Sequence, residues 1–277
     1  MLFRGLNTVL PKFAKTLLSV FVLILLLGQL ALKAQYQLVN QINVDAKAVF
    51  MDHLDQIYVL RTDAELLKYN TKGQLLARYN NKRYGSISGI DVSDPLRVKL
   101  FYSNFQQLVL LDNRLTQLGN RSFANIGFTQ VQAIATSSDQ SLWLFDYSTQ
   151  QLIKLNVANT VEARSANLSQ LLGQMLSARQ LFADDDFLYL LAQDGLVYQF
   201  DRFGAFIATL PIDPIDNLAV RNQSLFFVKN SVIQEFGLKE NKQNNLQMPA
   251  LSAISQVAVG NKFIAVLAEK AVFLLAK

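Results

Sequence analysis

The 277-residue chain carries 26 basic and 21 acidic side chains, is 51% hydrophobic and contains no cysteine. Its formal charge of +5 is concentrated at the start: residues 1–34 hold Arg4, Lys12, Lys15 and Lys33 and no acid, leaving 22 basic against 21 acidic side chains, or +1, in the remainder. A near-neutral body excludes the concentrated basic face that nucleic-acid binding requires, and the lack of cysteine excludes a disulfide-stapled fold and a lipid-modified cysteine anchor.

In chain order, Arg4, Lys12 and Lys15 precede the apolar run "TLLSVFVLILLLGQLAL", and "ALKA" then leads to Gln35. A basic start, a short apolar run and a small residue at its end are the parts of a secretory signal peptide, with cleavage expected after Ala34. The strongly apolar stretch is about 16–17 residues, at the lower bound of the roughly 17–25 that span a bilayer, so an uncleaved anchor is the alternative. Residues 35–277 are expected to form a single domain, long enough for one buried core. Only five prolines and no Gly/Ser-rich linker interrupt it, which speaks against flexible tethers.

Next comes "YQLVNQINV" (36–44), a lone strand ahead of a repeating unit. The units open with "KAVFMD" (47–52), "SGIDVS" (88–93), "QAIATS" (132–137), "QLFADD" (180–185), "NLAVRN" (217–222) and "QVAVGN" (256–261). Each begins polar, passes through small or apolar residues, and ends in a turn-forming side chain: Asp52, Ser93, Ser137, Asp185, Asn222 or Asn261. A second strand follows in every copy, as in "IYVLR" (57–61), "LWLFD" (142–146) and "FIAVL" (263–267). Such near-continuous apolar runs read as strands buried on both faces. A third strand follows, and in five copies a more polar fourth, among them "QLLARYN" (74–80) and "NNLQMPA" (244–250). Antiparallel units of four strands at roughly forty-residue spacing are propeller blades. The predicted fold is therefore all-β, a six-bladed β-propeller. The sixth copy has no fourth strand after "KAVFLLA" (270–276), so strand 36–44 is predicted to supply it and close the ring, which also removes exposed sheet edges. Between blades three and four, Leu168, Leu171, Leu172, Met175 and Leu176 fall at helical spacing, predicting a short amphipathic helix over 166–179 that covers the rim or docks a partner.

The turn-plus-strand form of "DHLDQIYVLR" (52–61) and "SSDQSLWLFD" (137–146) resembles the repeat of NHL-like six-bladed propellers exported by Gram-negative bacteria. The resemblance spans residues 36–277 and implies a periplasmic or cell-surface location. Families of this architecture include binding scaffolds, lactonases and other hydrolases, so the fold does not select the function.

Catalytic patterns are sparse. "GSISG" (85–89) has Ile87 where a serine nucleophile elbow needs Ser, and the single histidine, His53, sits in a turn. The run Asp184, Asp185, Asp186 cannot converge on one cation from a strand, because alternate side chains face opposite ways. Propeller lactonases hold calcium in the channel through Glu, Asn and Asp; the resemblance carries over only Asp91 and Asn217. Ser137, Asp139 and Trp143 approach a sialidase-type corner, itself a structural device. No catalytic residue, metal or cofactor is expected.

What remains is the first column of the repeat: Lys47, Ser88, Gln132, Gln180, Asn217 and Gln256. Inner strands line a propeller's channel, so these six are predicted to ring its mouth as one ammonium and five neutral groups. Such a ring suits hydrogen bonding to a polar ligand, and it equally suits ordering water or capping backbone. Tyr84, Phe123 and Phe128, with Lys82 and Arg83, lie on connections at the same face and are the candidate partner-binding rim. The expected function is a non-enzymatic binding or scaffold propeller of the cell envelope, engaging an envelope protein or a polar small ligand. A metal-dependent hydrolase of the lactonase type is the alternative.

Overall fold

The computed structural model describes residues 36–276; the predicted signal segment lies outside them. The described residues form six four-stranded antiparallel sheets, the blades of a six-bladed β-propeller. Blade one comprises β2 (Ala46–Met51), β3 (Ile57–Arg61), β4 (Leu66–Tyr69) and β5 (Leu75–Tyr79). Blade two is β6 (Gly89–Asp91), β7 (Val98–Tyr102), β8 (Gln107–Leu111) and β9 (Gln117–Ser122), and blade three β10 (Val131–Thr136), β11 (Leu142–Asp146), β12 (Gln151–Leu155) and β13 (Val161–Arg164). Blade four is β14 (Ala178–Ala183), β15 (Phe187–Ala192), β16 (Val197–Asp201) and β17 (Phe206–Thr209), and blade five β18 (Ala219–Arg221), β19 (Ser224–Lys229), β20 (Val232–Gly237) and β21 (Lys242–Asn245). Blade six takes β22 (Ile254–Val259), β23 (Phe263–Ala268) and β24 (Ala271–Ala276), and receives its outer strand, β1 (Gln37–Asn43), from the other end of the domain.

The apolar second strands explain this packing. Ile57, Tyr58 and Val59 of β3, and Leu144 and Phe145 of β11, are fully buried, because each face of a middle strand meets the face of a neighbouring blade. The outer strands carry the polar residues: β21 is exposed along its whole length. It also begins two residues before the predicted "NNLQMPA", since Lys242 pairs with Gly237 across a tight turn.

A turn device recurs between third and fourth strands. Asn70 Oδ1 accepts from the amides of Lys72 (3.0 Å) and Gln74 (2.9 Å). Asp112, Asn156 and Asp201 do the same for the residues two and four ahead. The position three after this side chain needs positive φ, which Gly73 and Gly204 supply at +73° and +87° without the steric cost a side chain would carry. Blades one and six are locked at the opposite end of the ring from Lys47 by Asp55, whose carboxylate accepts from the amides of Asn261 (2.6 Å) and Lys262 (3.0 Å). Gly260 is required there: a Cβ would stand 2.2 Å from Asp55 Oδ1 and 2.5 Å from Met51 Sδ.

The segment predicted as a helix over 166–179 is helical only over α1 (Leu168–Leu172), a single turn capped by Asn167 and ended by Gly173 at φ +72°. The buried side chain of Gln150 holds the remainder as a loop, accepting from Leu176 N (2.8 Å) and donating to Leu176 O (3.0 Å). Leu168 and Leu176 pack inward, whereas Leu171 (51% exposed) and Met175 (59%) face outward.

Candidate functional site

The inner strands of all six blades enclose a central channel with two adjoining cavities. The larger, about 770 Å³, runs between Val49–Met51, Gly89–Val92, Ala133–Thr136, Leu181–Ala183, Leu218–Arg221 and Val257–Val259. The smaller, about 360 Å³, lies where the inner strands begin and includes Lys47, Phe50, Ile87, Ser88, Gln180 and Asn217 in its wall. Phe50, Ser88, Gly89, Ile90, Gln180 and Gln256 belong to both walls and so form the divide.

Five of the six first-column residues, Lys47, Ser88, Gln180, Asn217 and Gln256, line the smaller cavity, and Gln132 lines the larger. They are not one structural column. Four of the six inner strands carry a bulge near their start, and the residues skipped in the pairing are Lys47, Gln132, Arg179 and Ser255. Gln180 and Gln256 pair regularly with Leu191 and Leu267, and β6 and β18 pair without a shift.

Several of these side chains stitch neighbouring blades. Gln256 accepts from Val49 N and donates to Val49 O, both at 3.0 Å, joining blade six to blade one. Gln132 accepts from Ala178 N (2.7 Å), and Asn217 Nδ2 donates to Ser255 O (2.8 Å). Ser88 Oγ donates to Phe101 O (3.0 Å) and accepts from Ser103 N (2.7 Å) within its own blade. Gln180 Oε1 and Asn217 Oδ1 are buried with no hydrogen-bond partner among the described residues. Lys47 is exposed and makes no hydrogen bond or ion pair among the described residues.

At the other end the acids are largely consumed by structure. Asp52 accepts from Leu54 N, Gln56 N and the Tyr58 hydroxyl, each at 2.9 Å. Asp184 accepts from Asp186 N, Phe187 N and the Tyr189 hydroxyl, while Asp185 and Asp186 are solvated. Asp91 accepts from Ser93 N (2.9 Å), Ser93 Oγ (2.6 Å) and Thr136 N (2.7 Å), and from the Thr136 hydroxyl. Burial alone would raise its pKa, but the Lys99 charge and these hydrogen bonds outweigh burial and hold the carboxyl below its ordinary value. Asp91 and Asn217, the pair the lactonase alternative needs, do not meet: Asn217 lines the smaller cavity and Asp91 only the larger. Among the described residues no three His, Asp or Glu side chains gather as a metal site. His53 stands exposed at the acidic mouth.

The predicted aromatic rim is core. Tyr84, Phe123 and Phe128 are 8%, 0% and 7% exposed; Tyr84 packs on Tyr102 at 5.5 Å and Phe123 on Phe101 at 5.6 Å. These three rings bury themselves between the blades and offer a partner little open face. Residues missed in the sequence are Phe50 and Ile90, which look like core in a run of apolar letters, and Arg179, which pairs with Asp216 at 2.9 Å across blades four and five.

No protein-family model and no curated protein matches the chain. Solved structures do. Virginiamycin B lyase from Staphylococcus aureus is similar over 83% of this chain and 79% of its own, at TM-score 0.55 and 12% identity. The Pan2 WD40 domain of Neurospora crassa is similar over 87% and 95%, at TM-score 0.62 and 7% identity. BamB from Moraxella catarrhalis is similar over 87% and 100%, at TM-score 0.51 and 12% identity. At these identities the likeness is one of propeller fold, shared by an enzyme and by proteins of other kinds.

Proposed function

We propose that the chain is an exported, non-enzymatic propeller of the bacterial envelope, in the periplasm or at the cell surface, that binds a small ligand in its central channel. One observation carries the reading: among the described residues the smaller cavity presents Lys47 and the Gln180 side chain without hydrogen-bond partners and has no Asp, Glu or His in its wall, while Asp52, Asp91 and Asp184 at the larger cavity carry structural hydrogen bonds. A wall without Asp, Glu or His offers a ligand in the smaller cavity no carboxylate or imidazole general base. Export rests on residues 1–34, and the resemblance to NHL-like propellers of Gram-negative bacteria agrees with it. A protein partner is the second reading, favoured by Leu171, Met175 and Phe105, exposed on connections at the same end of the ring as Lys47.

The test is in-cell crosslinking of the tagged protein, purification from the envelope, and mass spectrometry of both bound proteins and small molecules released on denaturation. A released small molecule at near-stoichiometric yield supports the channel reading; a stoichiometric envelope protein with no small molecule transfers the function to the outer rim. Calcium separates the hydrolase alternative. Millimolar calcium is expected to leave the melting temperature unchanged, because the Asp91 carboxylate already accepts four hydrogen bonds and, among the described residues, no three His, Asp or Glu side chains gather as a metal site. A ligand that binds only the folded state raises apparent stability, so an upward shift would return the lactonase-type reading.

A further inference from the structure

We infer that the smaller cavity takes a small amphipathic monoanion, with its carboxylate or equivalent anionic group at Lys47 and its apolar body against Phe50, Ile87 and Ile90. The inference rests on the channel being the ligand site and names the class of ligand. Among the described residues Lys47 is the sole ionisable side chain in this wall, so none of them in the wall neutralises its ammonium. A cationic ligand would be repelled, and a dianion would bring a second charge with no partner. The other polar groups are mostly spent: Ser88 and Ser255 bond to backbone carbonyls, and Gln256 is clamped on Val49. A glycan, which needs many donors and acceptors, would find little beyond the Gln180 amide, since the Asn217 amide nitrogen is already spent on Ser255 O. The rest of the wall, Phe50, Leu60, Ile87, Ile90 and Leu267, is hydrocarbon, and burying apolar surface against it is favourable. The volume of about 360 Å³ falls at the lower end of the roughly 300–1,000 Å³ typical of small-molecule sites. Lys47 reaches the mouth because the bulge between Ala46 and Ala48 takes it out of the ladder.

Octanoate is the probe, 1-octanol and octylamine its neutral and cationic counterparts, and the readout is the carboxylate ¹³C shift together with calorimetry on the intact protein at neutral pH. Saturable octanoate binding is expected, weakened about tenfold or more in Lys47→Gln, since bonds to charged groups are the strong ones, and unaffected in the control Lys72→Gln. Equal binding of octanol and octanoate, or Lys47→Gln binding as wild type, overturns the inference. Lys47 is exposed, so its replacement leaves the fold intact. If octanoate fails while the purified protein releases another small molecule, this inference falls and the channel reading stands. If octanoate fails and only a protein partner is recovered, both fall.

Discussion

Shortening the folded domain to begin at Ala46 is expected to unlatch the ring, and returning the deleted strand after residue 276 is expected to close it again. β1 pairs with β24 from Gln37 opposite Ala276 to Asn43 opposite Ala271. Ile42 is buried in the core between blades six and one, and Tyr36 is buried between blades five and six, with its amide on Gln247 O at 3.2 Å. Two buried side chains at about 1.5–3 kcal/mol each, and a ladder of hydrogen bonds at about 0.5–1.5 kcal/mol each, sum to on the order of 5–10 kcal/mol. That matches the whole net stability of a typical domain, about 5–15 kcal/mol. The loss also bares β24, an apolar strand, as an edge open to other chains. Urea unfolding followed by fluorescence of Trp143, the single tryptophan and 1% exposed, should lose its cooperative transition in the truncated protein. Because Gln37 faces Ala276 across an antiparallel pair, a two-residue Asn-Gly turn can join them as a hairpin. The permutant should recover most of the parent's midpoint, short of the share carried by Tyr36, whose place the turn takes. A truncated protein with an unchanged midpoint would show that β1 is not the latch.

That closure was legible because a repeat counted to six with one strand missing points to where the strand must come from. The second strands were legible for a simpler reason: runs such as "LWLFD" have no polar face to expose. The inner strands hid their register. Residues such as Ala133, Ile134 and Ala135 are buried on both faces, so a slip of one residue leaves no mark in the hydrophobic pattern. In blades four and six the true register therefore runs one residue earlier than the pattern predicts, and Ser255 rather than Gln256 fills the bulge of blade six. Arg179 occupies the bulge that Lys47 occupies in blade one, and Asp184 rather than Asp185 receives the tyrosine hydroxyl that Asp52 receives there. The 166–179 helix failed because leucine spacing is silent about partners: Gln150, distant in sequence, bonds the backbone of Leu176 and holds it in a loop. Of the candidate site, Lys47 stood out as a charge in a neutral column, but its apolar counterpart, Phe50 and Ile90, carried no signal that they face a cavity rather than the core.

The second large effect is expected at Asp91. Its carboxylate, on the inner strand of blade two, grips the Thr136 amide at 2.7 Å on the inner strand of blade three, while Lys99 lies directly across the ladder. Lys99 is 8% exposed, and burial pushes its pKa down while Asp91 and then Asp94 push it back up. Asp91→Ala removes the acceptor of the Thr136 amide and leaves the buried Lys99 short of its main counter-charge, although the two make no direct ion pair. A stranded buried donor costs about 1–3 kcal/mol. Replacing both residues, Asp91→Ala with Lys99→Met, should recover only part of that loss, because it removes the uncompensated charge but not the stranded Thr136 amide. The pH dependence has a definite sign. The folded pKa of Asp91 lies below its unfolded value of about 3.9, so its contribution is complete above that value and is lost as pH falls toward the folded one. Wild type should therefore lose stability on acidification below about pH 5 more steeply than Asp91→Ala, and the two should converge at the acid end. Asp139, brought down to about 2 against its own desolvation by Lys154 and Ser141, titrates in both proteins and cancels in the difference. Urea midpoints at neutral pH and at two acid values decide the matter: parallel curves would mean that the carboxylate between blades two and three carries no charge-dependent share of the fold.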